Sequence, residues 1–267
     1  MSAAFTQEAK NKSVTEYLGA LVWDGTPRLD RWLVDCAGAE DSPYVRAASR
    51  AMLVAAVRRA RQPGCRFDQL PVLDGPQGCG KSGALRLLAV EDDWFSDLPL
   101  LDGDVRRIIE ETKGKWIVEA SEIQHLFQAD DDEDDEDDED ADDADDEGDG
   151  GDEGGGTDDD DDDEGEDDDL PSAAALKSFL SRSVDEARMP YQREHTRVPR
   201  QFVVVGTTAA ATPYLGGATD HRRIWPICVG RFDLDRLTEI RDQLWAEAAV
   251  AEITGESIDL AAAAPSA

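Results

Sequence analysis

Cysteine is scarce and unpatterned in this 267-residue chain: Cys36, Cys65, Cys79 and Cys228 lie far apart and form no CxxC pair. That spacing argues against a zinc site and against a disulfide framework, and it fits a reducing compartment. The N-terminal MSAAFTQEAKNKSV lacks the apolar centre of a signal peptide. The longest apolar run, Ala51 to Val57, is far shorter than the ~20 residues needed to cross a bilayer. The expectation is a cytoplasmic, soluble protein with no membrane partner. No internal repeat is present either.

Basic residues are missing from one stretch. Of the 40 residues from Asp130 to Asp169, 30 are Asp or Glu, none is Lys or Arg, and the rest are Gly, Ala and a single Thr. The chain's net charge of −34 is concentrated there, because outside it 31 acids face 27 bases. Such a stretch has nothing apolar to bury and repels itself, so it is expected to be an extended disordered loop. It interrupts a domain rather than dividing two, since strands expected to share a sheet flank it and a long surface insertion costs little closure entropy.

What remains is 40% hydrophobic over the whole chain, enough for a core. Residues 1 to about 20 are polar and read as loose. WDGTPRLDRWL reads as a turn at Asp24-Gly25 leading into a short helix around Leu29 to Cys36. In SPYVRAASRAMLVAAVRRARQPG, Ser42 is placed to cap and Pro43 suits the first helical position. Val45, Ala48, Met52, Ala56 and Val57 then recur at helical spacing until Pro63-Gly64. From Phe67 the pattern becomes QLPVLDG, GKSGALRLLAV, KWIVEASEI and, after the acidic run, QFVVVGTT. Strands alternating with helices predict a parallel sheet with crossovers. FDLDRLTEIRDQLWAEAAVAEI closes the chain as a long helix with Leu237, Ile240, Leu244, Trp245 and Ala248 on one face. The boundaries read as a helical lead-in at 1–66, a first core segment at 67–129, the insertion at 130–169 and a second core segment at 170–267.

Gly75, Pro76, Gln77, Gly78, Cys79, Gly80, Lys81 and Ser82 satisfy G-x-x-x-x-G-K-[ST] at every fixed position. The run follows an apolar strand candidate and opens a helix candidate, as a phosphate cradle at a helix N-terminus requires. Its glycines let the backbone wrap phosphates, Lys81 supplies charge to the terminal phosphate oxygens, and the Ser82 hydroxyl can ligate Mg²⁺. These residues predict ATP and Mg²⁺ as cofactors.

A triphosphatase also needs an acid at a neighbouring strand end. Glu119 follows the apolar run Trp116-Ile117-Val118, with Glu122 a helical turn beyond. One carboxylate would serve the metal shell with Ser82 and the other the attacking water. Thr207 and Thr208 end QFVVVGTT, where their hydroxyls either touch the γ-phosphate or its water, or cap the next turn. Arg222 and Arg223 precede an apolar strand, and two readings stand: an arginine finger reaching a neighbouring subunit, or surface charge.

With these pieces in order, the sequence resembles the virulence-associated protein E family, the superfamily 3-like helicase and ATPase modules of phage, plasmid and integrated-element replication proteins. The resemblance rests on WDGTPRLDRWL, PGCRFDQLPVLDGPQGCGKS, WFSDLPL, GKWIVEASEI, LKSFLSRSVDEARMPYQRE, VPRQFVVVGTT, HRRIWPICVG and RDQLWAEA. It spans Trp23 to Ala248 except the acidic insertion. The resemblance implies an α/β P-loop NTPase with a parallel central sheet flanked by helices, acting as a homo-oligomeric ring that moves along DNA, with single-stranded DNA as the expected track.

The same resemblance makes Glu119 the acidic Walker B residue, puts Thr207 and Thr208 at the sensor strand, and makes Arg222 or Arg223 the finger. Arg188, Tyr191, Arg193, Arg197 and Arg200 fall where related helicases contact DNA, and basic residues around an aromatic suit phosphate tracking and base stacking. Packing and subunit-interface arginines are the competing reading. Three departures stand out. Ala209 replaces the asparagine of GTTN; GGATDHRR, with Gly217, Asp220 and His221, lacks D-x-T-G-N; and the chain begins near the ATPase module, which implies a separate primase or replication partner. The altered sensor leaves an alternative open, a catalytically weak ATP-binding switch whose acidic loop recruits basic partners. The insertion would compete with DNA for the basic segment, or simply project into solvent.

Overall fold

The computed structural model describes residues 13–97, 105–121, 123, 173–188, 196–209 and 223–260. Glu122, Tyr191, Arg193, Arg222 and the acidic insertion lie outside them.

The first helix, α1 (Val14–Ala20), overturns the expectation of a loose start: Ser13 and Glu16 form a reciprocal capping box. Its Tyr17 hydroxyl donates to Asp242 at 2.7 Å, and Leu18 is buried. Tertiary burial of these two side chains holds a segment too short to be helical alone. α2 (Trp32–Ala37) starts three residues later than the spacing predicts and ends on the left-handed Gly38. α3 (Pro43–Arg61) begins as expected, with the Ser42 hydroxyl accepting from Val45 N and Pro43 in the first turn.

Five strands form the main sheet: β1 (Leu70–Asp74), β2 (Phe95–Ser96), β3 (Ile117–Ala120), β6 (Val203–Thr208) and β7 (Ile224–Cys228). They run in the order β2-β3-β6-β1-β7, all parallel. Between β1 and β2 lies α4 (Lys81–Ala89), between β2 and β3 lies α5 (Val105–Thr112), and α6 (Ala173–Ser181) precedes a separate antiparallel pair, β4 (Val184–Ala187) and β5 (Thr196–Pro199). The last long helix among the described residues is α7 (Leu234–Ile253). This is an α/β fold whose parallel sheet is covered on both faces, as parallel sheets are.

Strand alternation divides the core in two. Leu73, Ile117, Val203 and Val205 face a large cluster built with α1, α2, α3, α4 and α7, while Val72, Val118, Val204 and Ala120 face a smaller one with α5 and α6. Trp116, just before β3, packs on Trp245 of α7 at 4.1 Å between ring centroids, and both indole N–H groups donate to backbone carbonyls, of Ala56 and Leu88. The helical lead-in is thus part of the same core as the sheet.

Two sequence landmarks at opposite ends of the chain meet here. Buried Glu247 of α7 accepts from Arg28 N at 2.6 Å and Leu29 N at 3.1 Å, and Gln243 accepts from Asp24 N at 2.9 Å. WDGTPRLDRWL therefore docks on RDQLWAEA through charge-assisted backbone bonds.

Candidate functional site

β1 is where the strand order turns back on itself: its neighbours β6 and β7 both come later in the chain. Crevices at the carboxyl ends of strands beside such a point are the usual ligand sites of open α/β sheets. The glycine-rich loop from Gly75 to Gly80 leaves β1 at this place and enters α4.

The loop is pinned from three sides. Gly75 N donates to Thr208 O, Val229 N to Asp74 O and Phe232 N to Cys79 O. A Cβ on Gly75 would stand 2.5 Å from the Val229 carbonyl oxygen, so no larger residue fits without moving the backbone. Gly80, at the N-cap of α4, has φ +100°, a conformation L side chains rarely adopt. Glycine is required there for the chain to turn into the helix, whose free amide groups then face the crevice.

Lys81 is nearly buried, and its ammonium donates to the carbonyls of Gly75 at 2.6 Å and Pro76 at 3.0 Å. Cys79 Sγ lies 3.6 Å from the same nitrogen. Glu119, 1% exposed near the end of β3, accepts from the Ser82 hydroxyl at 2.7 Å and from the Thr207 hydroxyl at 2.8 Å, both on Oε1. Three elements that are distant in sequence converge on this carboxylate: α4, β3 and β6. Thr208 is also buried and lines the same cavity, of about 410 Å³, with Gln77, Gly78, Lys81, Ser82 and Ala209. At the foot of the loop, burial raises the Asp74 carboxyl above its ordinary value and the Lys81 charge opposes the rise.

A larger cleft, of about 780 Å³, opens at the other end of the sheet beside Trp94, Trp116 and Lys115. Neither the glycine-rich loop nor Glu119 lines it, so chemistry rather than size places the candidate site.

Of the other residues singled out in the sequence, the described ones, Arg188, Arg197, Arg200 and Arg223, do not line the cavity. Arg223 precedes β7, whose first residue pairs with Leu70 at the start of β1. It therefore sits at the amino end of the sheet, roughly 15 Å of strand from the glycine loop. There its guanidinium donates to Ser181 Oγ at 2.8 Å and lies 3.4 Å from Asp68. Arg188 and Arg197 are exposed on the β4–β5 pair, where Arg197 meets Glu186 across the strands at 3.1 Å.

Arg200 is a correction. It is 2% exposed, forms a two-point ion pair with Asp185 at 2.6 and 2.7 Å, and donates to Phe179 O. Its guanidinium also lies over the Phe179 ring at 4.0 Å. All three guanidinium nitrogens bond inside the protein and the side chain is buried, which removes Arg200 from the DNA-contacting set.

Sequence reasoning missed both partners, Asp68 of Arg223 and Asp185 of Arg200: each lies within a family-like stretch, PGCRFDQLP and RSVDEAR, but neither was given a role there. Asp185 is the second residue of β4, and its burial between exposed or half-buried neighbours is the only local signal. The set of three or more His, Cys, Asp or Glu side chains that would cage a metal is absent among the described residues. No helix among them is long and apolar enough to cross a membrane.

No curated protein matches the chain. The family model of the virulence-associated protein E-like domain matches residues 18–134 and 169–264, leaving out 135–168, most of the acidic run, and the chain belongs to that family.

Proposed function

We propose that the chain is a P-loop ATPase that hydrolyses ATP with Mg²⁺ and uses it to move along DNA in the replication of a mobile element. The observation that carries this reading is the convergence of Lys81, Ser82, Glu119 and Thr207 on one cavity at the carboxyl ends of adjacent parallel strands. Family membership supports the replication setting.

The residues present fit the proposed ligand. The close approach at Gly75 and the left-handed Gly78 and Gly80 keep three loop positions free of side chains at the N-terminus of α4, which suits polyphosphate. Lys81 is the cation for the terminal phosphates once it leaves the loop carbonyls. Ser82 Oγ and Glu119 are hard oxygen donors, and Mg²⁺ is usually held by one or two such groups together with substrate phosphates rather than by a protein cage. Bound there, the ion would neutralise charge on the β- and γ-phosphate oxygens. Glu119 would orient the attacking water from a site largely closed to solvent.

Arg223 lies too far from its own cradle to touch a phosphate in it, so a finger role requires a second copy, in keeping with a ring. The exposed Arg188 and Arg197 on the β4–β5 pair support a backbone-tracking contact with single-stranded DNA.

The direct test of the cradle is ATP binding by the whole chain, followed by titration of a fluorescent ATP analogue. Lys81→Ala is expected to weaken binding at least ~10-fold, about 1.4 kcal/mol. Equal affinity in the variant would refute the assignment of this loop to phosphate.

A further inference from the structure

The amide of Gln77 stands uncommitted on the cavity wall. Other donors there are spent: the Ser82 and Thr207 hydroxyls on Glu119, and the Lys81 ammonium on the carbonyls of Gly75 and Pro76. Gln77 is exposed and lines the same cavity, and its side chain bonds none of the described residues.

The backbone fixes where that amide is carried. Cys79 N donates to Pro76 O at 3.2 Å, closing a β-turn with Gln77 and Gly78 at its two central positions. Gly78, at φ +75°, supplies the positive φ that a type II turn needs at the second of them. Gln77 is thus the tip residue of the turn, on the loop's side of the cavity. The same Pro76 carbonyl accepts from Lys81 Nζ at 3.0 Å. The cation for the terminal phosphate therefore starts one residue away, and a phosphate paired with it falls within reach of the glutamine side chain.

Phosphate oxygens only accept, and the amide nitrogen has two protons to give. A bond to a charged acceptor is roughly twice as strong as one between neutral groups. Being neutral, the amide adds such a bond without competing with Lys81 or Mg²⁺ for charge. Ser121 also lines the cavity with a hydroxyl free of described partners, but it follows the acid on β3 and is no part of the phosphate loop.

We infer that Gln77 is a catalytic residue whose amide N–H donates to a γ-phosphate oxygen and so separates ATP from ADP at this site. The inference rests on the ATPase reading above. In the step it serves, the water oxygen bonds to the γ-phosphorus as the bond from phosphorus to the bridging oxygen breaks. The bond electrons leave with ADP, and the water proton passes to Glu119 and then to phosphate or solvent. Gln77 holds one of the three oxygens over which the charge is spread and gives up no proton.

The test compares wild type with Gln77→Met, which keeps the length and removes the amide, and Gln77→Glu, which keeps the shape and sets a charge against the phosphate. Three quantities are read in the full chain with Mg²⁺: the Kd of ADP, the Kd of a non-hydrolysable β,γ-imido analogue of ATP, and kcat for ATP. Gln77→Met is expected to weaken the analogue about 10-fold while leaving ADP within about 2-fold of wild type. Its kcat should fall about 100-fold, the usual loss for one preorganised donor to a reacting oxygen. Gln77→Glu is expected to weaken the analogue further still.

A Gln77→Met chain that matches wild type in kcat or in the ratio of the two Kd values overturns the inference and leaves the ATPase reading intact. So does one that binds ADP as poorly as the analogue, since the shape of the turn would then account for the loss. A Gln77→Glu chain as tight as wild type for the analogue counts against it in the same way. If wild type binds the analogue yet does not hydrolyse ATP, the hydrolytic reading itself fails and the inference with it.

Discussion

Arginine side chains decide much of this molecule, and they do so in opposite ways. On the surface, Arg28 bonds Asp24 through both terminal nitrogens, and Arg31 and Arg46 share Asp41. These bonds hold the carboxyls of Asp24 and Asp41 well below the usual carboxylate range, with Arg28 the main cause for the first and Arg46 for the second. A carboxyl depressed in the folded state stabilises the fold above its unfolded value of about 3.9 and loses that contribution as pH falls through the folded value. Thermal midpoints measured from about pH 5 down to about pH 2 are therefore expected to fall less steeply for Asp24→Asn/Asp41→Asn than for wild type. High salt should narrow the difference, because these pairs are exposed. Identical slopes would show that the acid limb is set elsewhere.

At the scale of elements, the Arg200–Asp185 pair ties the β4–β5 hairpin to the body of the protein. Arg200 N donates to Ser183 O, and its guanidinium bonds both Asp185 oxygens and the last turns of α6 at Phe179. Arg200→Met would leave the Asp185 charge buried and unpaired, a change that typically costs about 3–5 kcal/mol. The thermal midpoint should then drop by on the order of 10 °C. Adding Asp185→Leu is expected to recover more than half of the loss, since the penalty lies in the orphaned charge. A drop of only a degree or two in Arg200→Met would contradict this account of the hairpin.

The same elements show what is legible in the sequence. β1, α4, β3 and β6 could be read because each is a short apolar run or a capped periodic segment bounded by glycine or charge, and α3 announces itself through Ser42 and Pro43. The hairpin could not. VDEA and TRVP carry no alternating pattern strong enough to mark them as strands, and they are strands because they pair with each other and because Asp185 meets Arg200. α1 carries one local signal, Ser13 with Glu16 three residues on, but the short helix after it depends on Tyr17 and Leu18 packing on elements far along the chain. Of the candidate site, the loop and the acid were visible as residue types. That Thr207 bonds Glu119 was not, since strand register emerges only when the sheet is assembled.

At the scale of the whole molecule, the helical lead-in and α7 join one face of the parallel sheet through the larger of the two cores, with WDGTPRLDRWL and RDQLWAEA meeting from distant parts of the chain. The sheet gives it two chemically distinct ends. At the carboxyl ends of the strands lies the cradle with Lys81, Ser82 and Glu119. At the amino ends lies Arg223, held by Ser181 and Asp68. In a ring of identical copies this polarity would let one copy's arginine approach the next copy's cradle, which is why the ATPase reading extends naturally to an oligomer. The measurement that tests the central claim most directly is steady-state ATP hydrolysis by the purified full chain with Mg²⁺, with and without single-stranded DNA, against Lys81→Ala. The account predicts hydrolysis that DNA stimulates and that the variant abolishes. Hydrolysis equal in wild type and variant, or none in a wild-type chain that binds both ATP and DNA, would contradict it.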